Sequence, residues 1–139
     1  MSVMMQEMTW QDFNEKKSNA VAILPVGSTE QHGPMLPLSV DAIISTGLAK
    51  MVAEKVNGIV LPCVTYGYKS APLSGGGPAF PGTIDMNGMT LLNLVKDILE
   101  ELILSLIHIS FASSAPFSAV EVLAVVSNPV SVTSHFDGG

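Results

Sequence analysis

LPVGSTEQHGPMLPLSVD, residues 24–41, joins a strand-like run to a helical pattern through a loop that holds an acid and a histidine. The apolar run 21–26 that leads into it has the length and composition of a buried parallel strand. It delivers the chain to Gly27, after which a short loop presents Glu30, Gln31 and His32. Residues two apart in an extended segment point to the same side, so Glu30 and His32 can aim a carboxylate oxygen and an imidazole nitrogen at one point. Gly33, Pro34 and Pro37 allow the chain to fold back, which brings Asp41, at the head of a helical pattern, to that point as well. Two hard oxygen ligands and one nitrogen suit Zn²⁺ or Mn²⁺, and a carboxylate at a helix start can bridge two metals. Taken singly, each residue has a plainer reading: Glu30 a surface carboxylate, His32 a turn residue, Asp41 a helix N-cap.

Working outward, residues 41–57 read as a helix. Ile43, Ile44, Leu48, Met51, Val52 and Val56 recur at helical spacing and are expected to face the core, with Lys50, Glu54 and Lys55 turned to solvent. Asn57-Gly58 is a C-terminal stop. IVLPCV, residues 59–64, reads as a second buried strand; Pro62 points to an edge or a strand end, and Cys63 reads as core. Strand, loop, helix and strand over 21–64 make a βαβ unit with a right-handed crossover. In open α/β sheets, sites form where loops leave the carboxyl ends of strands. The loop carrying Glu30 and His32 leaves there, and so does the next long loop, 65–83, so a single site is the economical reading.

That second loop, TYGYKSAPLSGGGPAFPGT, is rich in Gly, Pro and Ser. Loops of this length without secondary structure either bind something or are disordered. Its three consecutive glycines allow a ligand close to the backbone, but it lacks the G-K-[ST] ending of a P-loop and the Rossmann spacing. Residues 87–103 are the best helix by pattern: Asn87 is a candidate cap, Leu91, Leu94, Val95, Ile98, Leu99, Leu102 and Ile103 form the apolar face, and Lys96, Asp97, Glu100 and Glu101 the solvated one. At the other end, Thr9 caps a short helix starting at Trp10, which is expected to anchor packing.

Composition bounds the function classes. The 139 residues suffice for one domain, and the formal net charge is −6 with lysine the only strongly basic residue type. No basic stripe is present, which argues against nucleic acid and against anionic lipid. One cysteine cannot form an internal disulfide, so a reducing cytoplasm fits best. The first twelve residues carry no signal-peptide pattern. Mean hydropathy is high, at +0.45. Even so, the longest apolar run, 102–112, is too short to cross a bilayer, and no membrane segment is expected.

Two long motifs in register carry a family resemblance. ILPVGSTEQHGPMLPLSVD, 23–41, resembles the metal-binding motif of the creatininase family, and YGYKSAPLSGGGPAFPGT, 66–83, resembles its creatinine-hydrolysing branch. The match runs in order over about residues 8–103. It implies a three-layer α/β/α fold with a mostly parallel sheet. It also implies that Glu30 and His32 each hold one of two divalent metals, Zn or Mn, that Asp41 bridges them, and that Ser74 contacts substrate. The implied chemistry is hydrolysis of the cyclic amide of creatinine to creatine, in a homo-oligomer with a small-molecule substrate. Another family member acting on a different amide or a formamide is the alternative. Met35 is a departure, since family members often carry histidine there.

Residues 104–139 differ in kind. They contain no lysine or arginine, only Glu121 and Asp137 as acids, and eight serines. The change at 103/104 reads as a shifted frame or a joined segment more than a domain boundary, so 1–103 is taken as the N-terminal part of the family domain and 104–139 as a divergent tail. The resemblance implies a further histidine and glutamate from an Asn-Gly-His loop, at positions falling near Pro116 and Ser118. No Asn-Gly-His occurs in the chain, and neither His108 nor His135 has a ligand-spaced partner. The expectation for this polypeptide is an incomplete, inactive fragment that binds metal weakly.

Overall fold

A computed structural model describes residues 1–69, 80–104, 110–111 and 124–126. Its elements in chain order are α1 (Trp10–Lys16), β1 (Val21–Leu24), α2 (Val40–Ala53), β2 (Gly58–Val60), α3 (Gly88–Leu104), β3 (Ser110–Phe111) and β4 (Ala124–Val126). The sheet order is β2-β1-β4-β3. β1 and β2 are parallel, with Val21 opposite Gly58 and Ile23 opposite Val60, as the βαβ reading requires. β4 lies antiparallel to β1 on its other side, and β3 antiparallel to β4.

Alternation along β1 divides the core into two. Ala22 and Leu24 face one side, where they pack with Leu99 and Leu102 of α3, with Leu61 and Val64, and against Phe13 of α1. Ile23 faces the other, with Val60, Met4, and Ala49 and Ala53 of α2. The strand is apolar throughout because both faces are covered. Helices thus lie on both sides of the sheet, the α/β/α layering implied by the resemblance.

The second strand is shorter than expected. β2 ends at Val60, two residues before Pro62, and the Leu61 N–H still donates to Ile23 O at 2.8 Å. The pairing resumes beyond Pro62: the Val64 N–H donates to Pro25 O at 3.0 Å and the Gly27 N–H to Val64 O at 2.8 Å. Those bonds carry the parallel pair to the rim where the two long loops depart.

α2 overturns the expected face. Ala42, Ser45, Ala49 and Ala53 are the buried residues and Val52 packs beside them as expected, whereas Ile43, Ile44, Leu48 and Met51, with Val56 in the turn that follows, are exposed. The cause is how closely the helix approaches the sheet. A Cβ added at Gly27 would lie 2.6 Å from the Ala42 nitrogen, and one at Gly58 would lie 2.7 Å from the Ala53 Cα. A glycine under each end lets the helix backbone rest on the strand backbone, and only small side chains fit between. Asn57, at φ 52°, ends the following turn in the left-handed region, as its place before Gly58 suggested.

α3 follows its pattern more closely. Leu91, Val95, Ile98, Leu99 and Leu102 face the core, while Leu94 and Ile103 are exposed. The Asn87 side chain accepts from the Met89 N–H at 2.9 Å, the expected cap. Thr9 and Asp12 form a reciprocal capping box on α1. Trp10 is no packing anchor: it is 75% exposed, on the outer side of a helix only seven residues long.

Candidate metal centre

Glu30, His32 and Asp41 converge. Each offers one ligand atom, and the three atoms lie within 4.8 Å of one another. Glu30 and His32 come from the loop that leaves β1, and Asp41 from the first turn of α2. Asp41 is not the N-cap: Ser39 holds that position, which leaves the Asp41 carboxylate available to the loop. It reaches the loop because Gly27 admits the helix terminus.

The imidazole is held at both nitrogens. His32 Nδ1 lies 3.1 Å from the carbonyl oxygen of Glu30, and Nε2 lies 3.1 Å from Asp41 Oδ1. The Glu30 carbonyl, facing Nδ1, orients the ring so that Nε2 is turned toward the Asp41 carboxylate. A backbone carbonyl on the far nitrogen of a ligating histidine is the usual second contact that fixes its tautomer. Glu30 is 7% exposed and the His32 and Asp41 side chains each 21%, so the cluster is largely withdrawn from solvent. Two carboxylates and an oriented imidazole nitrogen at this spacing fit Zn²⁺ or Mn²⁺ by donor chemistry. Among the described residues this is the one group of three or more potential ligands so arranged.

The loop that carries Glu30 and His32 is pinned from several directions. The Glu30 N–H donates to Leu38 O at 3.0 Å, closing the fold-back inferred from Gly33 and the prolines. The Thr29 hydroxyl donates to Thr65 O at 2.8 Å, and the Ile84 N–H to Thr29 O at 2.9 Å. The Gln31 N–H donates to the Thr83 hydroxyl oxygen at 3.3 Å. Both ends of the second long loop therefore grip the first, which is the single-rim arrangement expected. Thr29 and Thr83 were not singled out by sequence reasoning, although both lie within the two motifs quoted above, and Gly27 was read only as the end of the strand. Ser74, the substrate-contact candidate, lies outside the described residues, as do Pro116, Ser118, His108 and His135. Cys63 is half-buried at the same rim, its Sγ 3.7 Å from the Ser45 hydroxyl.

Residues 6–108 match the family profile described as "Creatininase: Creatinine amidohydrolase". The chain belongs to the creatininase family. It is 43% identical over 103 residues to the creatinine amidohydrolase of Pseudomonas putida, an alignment covering 73% of this chain and 40% of that protein. It is also 39% identical over 77 residues to a mycofactocin precursor peptide peptidase of Mycolicibacterium smegmatis, covering 51% of this chain and 29% of that one. Among solved structures, a mutant creatininase of the Zn-Zn type superposes with a TM-score of 0.70 at 42% identity, covering 74% of this chain and 41% of that one. Related creatininase structures are a Mn form and a complex with creatine. The 139-residue chain thus spans about 40% of the length of the creatinine amidohydrolase it matches.

Proposed function

We propose that this chain is the metal-binding N-terminal part of a creatininase-family amidohydrolase that opens the cyclic amide of creatinine to creatine. The observation that carries the reading is the convergence of Glu30, His32 and Asp41 at the carboxyl rim of the parallel pair. The 43% identity to a creatinine amidohydrolase favours that substrate over the others in the family. The peptidase relative supports the alternative, a different amide, at lower identity and over less of the chain.

A bound divalent pair supplies Lewis acidity, polarising the amide carbonyl and lowering the pKa of a bound water. The chain's own contribution is to present the donors. Glu30 and His32 supply a carboxylate and an imidazole from one loop, and Asp41 supplies the carboxylate suited to bridging. The Glu30 carbonyl, 3.1 Å from Nδ1, orients the imidazole so that Nε2 faces Asp41, where it would meet a metal. Ser74, in the glycine-rich segment between Thr65 and Thr83, is the proposed substrate contact.

The three candidate ligands among the described residues are fewer than two ions need, so this polypeptide by itself is proposed to bind metal weakly and to turn over no creatinine. Homo-oligomer formation is part of the same proposal, supported by the exposed apolar side chains of α2. The test is creatinine hydrolysis by the purified chain with Zn²⁺ or Mn²⁺ added, alongside metal content after dialysis. Substoichiometric metal that is lost in Glu30→Gln, with no turnover, is the expected result. Full turnover would sink the fragment reading, and absence of any metal binding would sink the site.

A further inference from the structure

We infer that Thr83 is a positioning residue for the metal ligands, acting through the peptide between Glu30 and His32. This rests on the metal-centre reading above. The two ligands flank Gln31, and their side chains converge only while that intervening peptide keeps its orientation. The Thr83 hydroxyl oxygen accepts the Gln31 N–H at 3.3 Å, across 52 residues of sequence.

The oxygen itself is held in place. The Thr83 N–H donates to Phe80 O at 3.2 Å, closing a turn over Phe80-Pro81-Gly82-Thr83. Gly82 takes φ +86°, a conformation that L side chains rarely adopt. A Cβ on Gly82 would also lie 2.6 Å from Leu38 Cδ1, so the turn packs directly against Leu38. Leu38 in turn accepts the Glu30 N–H. The turn therefore touches the ligand loop at both of its arms, by packing at Leu38 and by hydrogen bond at Gln31. Phe-Pro-Gly-Thr is in this reading a clamp on the metal ligands, separate from any contact the second loop makes with substrate.

Thr83→Val keeps the shape and removes the oxygen, whereas Thr83→Ser keeps the oxygen. The experiment is a Zn²⁺ titration of the full 139-residue chain against a competing chelator, for the unmodified protein, both variants and Glu30→Gln. Removing a group that orients a metal ligand weakens binding by about 10–100-fold. That loss is expected for Thr83→Val, with Thr83→Ser close to the unmodified chain. Thr83→Val binding as tightly as the unmodified chain, while Glu30→Gln loses Zn²⁺, would overturn the role of Thr83 and leave the metal site standing. No Zn²⁺ binding by the unmodified chain would overturn both. Should Thr83→Val not fold, amide exchange at Gln31 in the unmodified chain decides: protection is expected, and exchange at the rate of an unstructured peptide overturns the assignment.

Discussion

Asp41 illustrates how one residue's role depends on a few ångströms of context. As an N-cap it would satisfy the first N–H groups of α2, and its removal would cost the helix alone. The structure instead places it in the first helical turn with its carboxylate 3.1 Å from His32 Nε2. A carboxylate there still gains from the helix dipole, by about 0.3–1 kcal/mol. Asp41→Asn is therefore expected to lower metal-free stability by no more than about 1 kcal/mol. Its larger effect should appear with metal: saturating Zn²⁺ raises the melting temperature of the unmodified chain and leaves that of Asp41→Asn nearly unchanged. Calorimetry with and without Zn²⁺ checks both halves. Asp12 makes a second residue-scale prediction. The Thr9 hydroxyl and backbone N–H hold its carboxyl below the ordinary value of 3.8. A lowered folded value means the box contributes above the unfolded value and loses its contribution as pH falls through the folded one. Trp10 fluorescence should report loosening of α1 below about pH 4, and Asp12→Asn should remove that dependence.

At the scale of elements, the position of α2 settles the site. Its approach is set by glycines beneath its two ends, Gly27 against Ala42 and Gly58 against Ala53. Gly27→Ala places a methyl group 2.6 Å from a helix backbone nitrogen, where no flexible side chain can yield. Overpacking of this kind costs about 1–3 kcal/mol. The helix terminus should also lift from the loop, carrying Asp41 with it. Gly27→Ala is thus expected to lose both stability, by urea denaturation, and Zn²⁺ affinity, by about tenfold or more. A stability loss with unchanged affinity would show that Asp41 is placed by something other than this contact. The same close approach explains why helical periodicity misassigned the buried face. Two stripes of α2 recur at helical spacing, one large and apolar, one small. The large stripe scores higher on hydrophobicity, but the glycines beneath the helix admit only the small one.

For the whole molecule, the consequence is an outer helix face of Ile43, Ile44, Leu48 and Met51 turned away from the sheet. Met51 is 61% exposed and Ile44 49%, on the side of the helix opposite Ala42, Ser45, Ala49 and Ala53. Clustered exposure of this kind favours association. Ile44→Lys and Met51→Lys should each weaken self-association by more than about tenfold, because an unpaired buried lysine costs several kcal/mol. Sedimentation equilibrium over a range of protein concentrations measures this, and a monomer at all concentrations would remove the oligomer from the proposal. No helix among the described residues is long and apolar enough to cross a membrane.

The sequence alone determined the parts that local rules govern. The alternation around Ile23, the helical run of α3 with its Asn87 cap, the stop at Asn57-Gly58 and the pairing of Glu30 with His32 are all consequences of period and turn chemistry within a few residues. Tertiary structure decided what depends on distance between segments. It chose the small face of α2, left Trp10 in solvent, gave the cap position of α2 to Ser39 rather than Asp41, and brought Thr83 to Gln31. Each of these turns on how closely two backbones approach, and that distance is fixed by what lies beneath a helix or beside a loop, information held at positions far apart in the chain.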